Sequence, residues 1–169
     1  MVLHDGEELI SVKITDGSNS ILLATHDGMA IHFDEQDVRC MSRAAHGVKG
    51  ISLHDGDYVV AMDVVHDEAL DVLSVTENGI GKRTKISEYK KQSRGGKGRI
   101  SYRLSPKTGS VVGMCIVHPD DELFLFTAKG YVLCVDADEL KNCGRFARGV
   151  IAMKLHDGDK VTAISKTSK

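Results

Sequence analysis

The sequence predicts an all-β chain, a propeller-like partial ring of about three four-stranded blades. Three observations predict it. The chain repeats at a period of 51 residues, its apolar runs are short and punctuated by turn residues, and no segment sustains a helical period. Thr25–Ile31 (T-H-D-G-M-A-I), Thr76–Lys82 (T-E-N-G-I-G-K) and Thr127–Leu133 (T-A-K-G-Y-V-L) superpose, with their Thr and Gly positions in step at 51. Gly47–Asp57 matches Gly149–Asp159 at twice that step. Between them, at the same place in the middle copy, lies Gln92–Gly98 (Q-S-R-G-G-K-G). A repeat of this size is the size of a blade, and it buries its apolar faces only by stacking on its neighbours.

The elements follow in order. Residues 1–9 match Leu53–Val59 and read as the tail of a preceding blade, which makes the chain a fragment of a longer protein. The three repeats then run over approximately 10–59, 60–111 and 112–162, as one unit of 169 residues. In the first, Ile10–Ile14, Ile21–Thr25 and Met29–Phe33 are short apolar runs separated by D-G-S-N and H-D-G. The second gives Leu70–Thr76 and Gly79–Ile86 around E-N-G; the third gives Leu123–Thr127 and Tyr131–Val135 around A-K-G. Gly28, Gly79 and Gly130 supply the positive φ that tight hairpins demand. After each hairpin comes one polar turn with a single apolar anchor, Val38, Tyr89 or Leu140, again 51 apart. Both prolines, Pro106 and Pro119, fall in turns.

Composition excludes several classes. No charged start precedes an apolar run, and no apolar stretch reaches the ~20 residues of a membrane helix, so the expectation is a cytoplasmic protein with no membrane partner. Cys40, Cys115, Cys134 and Cys143 form no C-x-x-C pair and read as small buried hydrophobes in a reducing compartment. His-Asp-Gly recurs at His4, His26, His54 and His156. It reads as turn chemistry rather than a metal site, because the copies lie on separate repeats without zinc spacing. No cofactor motif is present in the chain.

Charge is distributed unevenly. The net formal charge is −2, yet residues 82–107 hold ten cations and only one acid, Glu88, for a local +9. The remaining 143 residues carry −11. Association follows the local field more than the net charge, so a basic stripe on an acidic body reads as a nucleic-acid footprint. Gln92–Gly98 sets Arg94 and Lys97 on a backbone loosened by Gly95, Gly96 and Gly98, whose amides can approach an anion. The P-loop pattern G-x-x-x-x-G-K-[ST] is absent, which removes the nucleotide-binding alternative. Only Tyr89 and Tyr102 interleave with the cations. That disfavours single strands held by base stacking and suits duplex DNA held by its phosphates. The candidate DNA-binding residues are Lys82, Arg83, Lys85, Lys90, Lys91, Gln92, Arg94, Gly95, Gly96, Lys97, Gly98, Arg99 and Arg103. Arg94 and Lys97 are expected to take phosphates, and Ser93 little.

Gln92–Gly98, the preceding Thr76–Tyr89, and the R-x-x-x-G-V pattern at Arg43–Val48 and Arg145–Val150 resemble the C-terminal domain of the DNA gyrase A protein. The resemblance spans essentially the whole chain. It implies a β-pinwheel, usually of six blades, with duplex DNA wrapped around its rim. It implies a place in an ATP-dependent type II topoisomerase whose other parts are the gyrase B protein and the rest of gyrase A. ATP hydrolysis would belong to gyrase B and DNA cleavage to a tyrosine outside this chain, so Tyr58, Tyr89, Tyr102 and Tyr131 are not expected to be catalytic. Ser93 stands where the family's box usually has Arg, and the box lies in the second of three repeats. The resemblance therefore implies roughly the final three blades, a stretch without the principal box. The alternatives are the equivalent domain of topoisomerase IV and a propeller-type protein-binding scaffold. A self-contained hydrolase has no Ser/His/Asp or Cys/His motif to support it. Three blades leave two flanks, residues 1–9 and Val161–Ser165, through which an isolated fragment is expected either to self-associate or to close on itself imperfectly.

Overall fold

A computed structural model describes residues 2–167, an all-β chain. Its first hairpin is β1 (Ser20–Thr25) and β2 (Met29–Asp34), and β3 (Val59–Val65) follows. The second is β4 (Asp71–Thr76) and β5 (Ile80–Lys85), then come β6 (Arg99–Ile100) and β7 (Val111–Val117). The third is β8 (Glu122–Thr127) and β9 (Val132–Asp136), followed by β10 (Val150–Ile151) and β11 (Val161–Thr167). All three hairpins stand where the sequence places them, with Gly28, Gly79 and Gly130 at φ +80°, +74° and +84°. One 3-10 turn follows each hairpin, at Glu35–Asp37, Ile86–Glu88 and Ala137–Glu139.

The sheets are not made of consecutive strands. Their orders are β3-β1-β2-β6, β10-β5-β4-β7 and β11-β8-β9. Each of the first two hairpins takes its inner strand from the segment before the next hairpin and its outer strand from beyond the next hairpin. Thus β6 adds to β2, pairing Ile100 with Met29 and Arg99 with Ala30. One period on, β10 adds to β5, pairing Ile151 with Ile80 and Val150 with Gly81. The inner strands β3, β7 and β11 lie side by side. Asp63 of β3 accepts the Ile116 amide of β7 at 2.8 Å, and Lys166 of β11 donates to the Ile116 carbonyl at 2.8 Å.

The core lies between sheets. Leu22, Ala24 and Ala30 pack with Val65, Val72, Met114 and Ile116 at the first boundary. Leu73, Val75 and Val117 pack with Leu123, Leu125 and Val161 at the second. This is how a repeat that cannot bury its faces alone becomes stable. The anchors after the hairpins belong to these joints. Tyr89 and Leu140 are 2% and 3% exposed, whereas Val38 is 40% exposed, because its segment has no preceding hairpin to lie on among the described residues.

Two expectations fail at the ends. Ile10–Ile14 forms no strand, and Ile10, Val12 and Ile14 are 50%, 73% and 93% exposed. Residues 8–14 stand one period before β3, in the place of an inner strand, and among the described residues no hairpin of a preceding blade is there to pair with them. At the other end, Val161–Ser165 is not a free flank, because β11 pairs along β8 from Val161 to Thr167. The open edge there is the outer edge of β9, to which no strand adds among the described residues.

Candidate nucleic-acid interface

The basic glycine loop is laid across the first blade rather than hung between blades. The Gln92 amide donates to the His32 carbonyl at 2.9 Å and the Gly95 amide to the Gly50 carbonyl at 2.8 Å. Ser52 returns two bonds, its amide to the Gly96 carbonyl at 2.9 Å and its hydroxyl to the Gly95 carbonyl at 2.8 Å. Arg94 donates from Nε to the Asp37 carbonyl at 3.0 Å and from Nη1 to the Lys49 carbonyl. Gly98 has φ +73°, and a Cβ there would stand 2.5 Å from the Ala30 carbonyl oxygen. Arg94, Gly95 and Gly98 thus serve the joint between two repeats. This corrects the expectation of Arg94 as a free phosphate ligand and of the Gly95 amide as an anion donor, since both are already engaged with backbone.

Lys82 and Arg83 also leave the candidate surface. Lys82 is 0% exposed, and its ammonium donates to the carbonyls of Gly144, Arg145 and Ala147 at 3.2, 2.5 and 3.1 Å. It lies 4.4 Å from the centre of the Tyr102 ring, a cation–π contact. Burial lowers its pKa to about 8. Arg83 donates to the Leu140 carbonyl at 2.8 Å, to the Asp138 carbonyl at 3.2 Å and to Asp71 at 3.4 Å. His32 belongs to the same class of buried joint residue one period earlier. Its Nδ1 faces the Tyr89 carbonyl at 2.6 Å and so carries the hydrogen, leaving Nε2 to accept from the Ser20 hydroxyl at 2.6 Å.

Seven cations of the run remain exposed: Lys85, Lys90, Lys91, Lys97, Arg99, Arg103 and Lys107. Lys85 lies 3.8 Å from Asp71, and Lys91 lies 3.1 Å from Glu68. The other five make no ion pair among the described residues. Lys107 lines a groove of about 750 Å³ together with Arg148, Lys154 and Asn78. Arg148 and Lys154 come from the third repeat and lie outside the sequence-predicted set. The signal that finds them is the period itself, which puts His46, Lys97 and Arg148 in step and then Ser52, Arg103 and Lys154. Exposed positive charge is therefore carried from one repeat to the next, and it can neutralise phosphates without reading bases.

The remaining candidates are structural. Asp57 accepts the amides of Asp27 and Tyr58 at 3.0 and 2.9 Å. Asp159 does the same for Lys129 and Lys160 at 3.0 and 2.8 Å. The third repeat has Ala128 and Lys129 where the first has His26 and Asp27, so it lacks the His-Asp pair, and turn bonding alone accounts for the shared carboxylate. Tyr89 and Tyr102 are buried, with hydroxyls on Ser101 at 2.8 Å and on the Arg148 carbonyl at 2.7 Å. Neither offers a ring to a base. Cys115 is half-buried, and the loss of water around its sulfur pushes the thiol up to about 12. Cys40 and Cys134 are exposed, against expectation, because each sits on a segment whose neighbouring repeat is not among the described residues. Among the described residues no helix is long and apolar enough to cross a membrane.

The arrangement has known counterparts. A family model described as DNA gyrase C-terminal domain, beta-propeller, matches residues 19–66, 70–117 and 121–168. The DNA gyrase A protein of Haloquadratum walsbyi is 45% identical over 159 residues, which cover 94% of this chain. The match spans 19% of that relative's length. A solved DNA gyrase A C-terminal domain superposes with a TM-score of 0.90 at 32% identity, covering 98% of this chain and 56% of that one. A solved C-terminal domain of DNA topoisomerase IV superposes with a TM-score of 0.93 at 26% identity, covering 98% and 51%.

Proposed function

Because the chain belongs to the DNA gyrase C-terminal domain family, we propose that it binds duplex DNA through its phosphates and bends it along the rim of successive blades. The observation that carries this reading is the row of exposed cations without acidic partners, Lys90, Lys97, Arg99, Arg103 and Lys107, continued by Arg148 and Lys154 of the next repeat. Duplex DNA presents regularly spaced charge, and side chains repeated at a fixed structural step suit it better than a single pocket would. The cations lie on exposed positions without stacking aromatics, which favours a backbone-held duplex over single strands.

In this reading the chain works as part of a gyrase A protein, in the cytoplasm. Wrapping presents a DNA segment to the rest of the enzyme so that strand passage introduces negative supercoils. Cleavage belongs to a tyrosine elsewhere in gyrase A, and ATP hydrolysis to gyrase B. A gyrase-type role is preferred to a topoisomerase IV type because the curated relatives at 45% and 41% identity are gyrase A proteins.

The test is a gel-shift series with random-sequence duplex over a range of salt. Affinity should fall with a log–log slope of about −0.9 for each phosphate neutralised, with little dependence on sequence. Binding that is undetectable at low salt, or flat with salt, overturns the reading in favour of a protein-binding scaffold.

A further inference from the structure

We propose, on the reading of the rim as a phosphate-binding surface, that Phe146 is a wedge which a bound duplex takes between two of its base pairs. The DNA is then kinked at the Cys143–Gly149 loop and only bent at the two loops before it. Three loops occupy this place in the repeat, and each has a tight turn with a different residue at its tip: Ala44, Gly95 and Phe146, 51 residues apart. The tip offers a methyl group, then no side chain, then an aromatic ring. The ring is 59% exposed. One ring is not the row of rings that strings out the bases of a single strand. It suits one step of a duplex, because apolar wedges enter between base pairs from the minor groove and kink the helix there.

The loop holds the ring from behind. The Ala147 amide donates to the Gly144 carbonyl at 2.9 Å, which closes the turn that has Arg145 and Phe146 at its centre. The Lys82 ammonium donates to the carbonyls of Gly144, Arg145 and Ala147. The Arg145 amide donates to Glu88 at 3.1 Å, and its Nη1 to the Ile100 carbonyl at 2.7 Å. The Arg145 guanidinium lies 5.2 Å from the centre of the Phe146 ring and braces it. A side chain on a backbone fixed at so many points keeps its direction when DNA arrives, so little freedom is lost on insertion. Arg148, two residues on, is exposed and in step with Lys97. It supplies charge to hold a phosphate beside the ring.

The openness of the tip belongs to the repeat and not to what stands beside the third one. Gly95 occupies the tip of a loop that has the following repeat in place. A Cβ built there would meet, within 4 Å, only the Lys49 carbonyl oxygen at 3.5 Å, and Lys49 belongs to the loop before it. No atom of the Cys143–Gly149 loop comes as near. Ala44 is likewise exposed with the Gln92–Gly98 loop in place after it. A side chain at the tip therefore points away from the joint between repeats, and Phe146 is the one of the three with enough length to reach into a base step.

Binding of the chain to an intact duplex, and to the same duplex with one central mismatch, tests the wedge. A 2-aminopurine beside the mismatch reports unstacking by its fluorescence. Parting a base step costs least where pairing is already broken, so the wild-type chain should bind the mismatched duplex about tenfold more tightly and raise the fluorescence. Phe146→Ala should abolish both effects with an unchanged circular dichroism spectrum. Its salt slope on the intact duplex should stay as in the wild type, since the ring neutralises no phosphate. Phe146→Leu, an apolar wedge of another shape, should keep part of both effects. A wild-type chain that binds with the expected salt slope, yet shows neither mismatch preference nor fluorescence rise, overturns the wedge alone. So does a Phe146→Ala chain that keeps both. Failure to bind either duplex at low salt overturns the phosphate reading and the wedge with it.

Discussion

The loops Gln92–Gly98 and Cys143–Gly149 occupy the same place one period apart, yet they rest on opposite kinds of support. Both carry at their third position an Arg that donates back to the previous repeat: Arg94 to the Lys49 carbonyl, and Arg145 to the Ile100 carbonyl at 2.7 Å. Under the first loop lies Ile31, apolar, 3.8 Å from the point where a Gly96 Cβ would stand. Under the second lies Lys82, whose ammonium gathers three carbonyls of the loop. The difference teaches that a cation's place in the repeat, and not its place in a basic run, decides whether it faces solvent. Lys82 and Lys97 are 15 residues apart in one +9 segment, and one is wholly buried while the other is exposed.

Substitution at Lys82 should break the comparison most. Lys82→Met removes the donor shared by three buried carbonyls and should cost about 3 kcal/mol of stability in urea unfolding. The same change at Lys97 should stay within about 0.5 kcal/mol. Equal losses at the two sites would mean that Lys82 is not the support of its loop. The pH dependence sharpens this. Burial sets the folded Lys82 at about 8, below its ordinary 10.5. Between those values the unfolded chain binds more protons, so stability contributed at this site rises with pH across that window. The gap between wild type and Lys82→Met should therefore widen from pH 8 towards 10.5, and a gap that narrows contradicts the assignment.

Gly98→Ala comes next. It forces a side chain into a positive φ and against the Ala30 carbonyl, at a cost of about 2 kcal/mol. Gly149→Ala, at φ +82° and with its Cβ pressed on the Gly81 oxygen, should behave alike, since these positions do the same work. Arg94→Ala should lower stability by about 1 kcal/mol while leaving the salt slope of DNA binding unchanged. Lys97→Ala and Arg148→Ala should do the reverse. Each should reduce the salt slope by about one unit and move the melting point hardly at all. If Arg94→Ala flattens the slope instead, its guanidinium contacts phosphate after all.

The strand pairs were legible because hairpin chemistry is local: a turn Gly and flanking apolar runs suffice for β1–β2, β4–β5 and β8–β9. The period was equally legible. The direction of Lys82 was not, because its three acceptors lie more than 60 residues away, and no local pattern marks a buried ammonium. Arg148 and Lys154 were missed because they lie outside the dense run, although the step of 51 leads to them from Lys97 and Arg103. The Ile10–Ile14 run reads as a strand and is not one. Strand propensity needs a partner, and the partner belongs to a neighbouring repeat.

Every outer strand comes from the repeat that follows, and this gives the fold a direction in time. During synthesis the edge of β2 cannot be sealed until Ile100 has emerged, 71 residues after Met29. At translation rates of roughly 5–20 residues per second, that edge waits roughly 4–14 s. Each blade is finished only by its successor, so a nascent chain always carries one unsealed edge at its growing end. The charged and polar residues scattered along the first two acceptor strands, His32 on β2 and Lys82, Arg83 and Lys85 on β5, keep that waiting edge from pairing with the wrong strand.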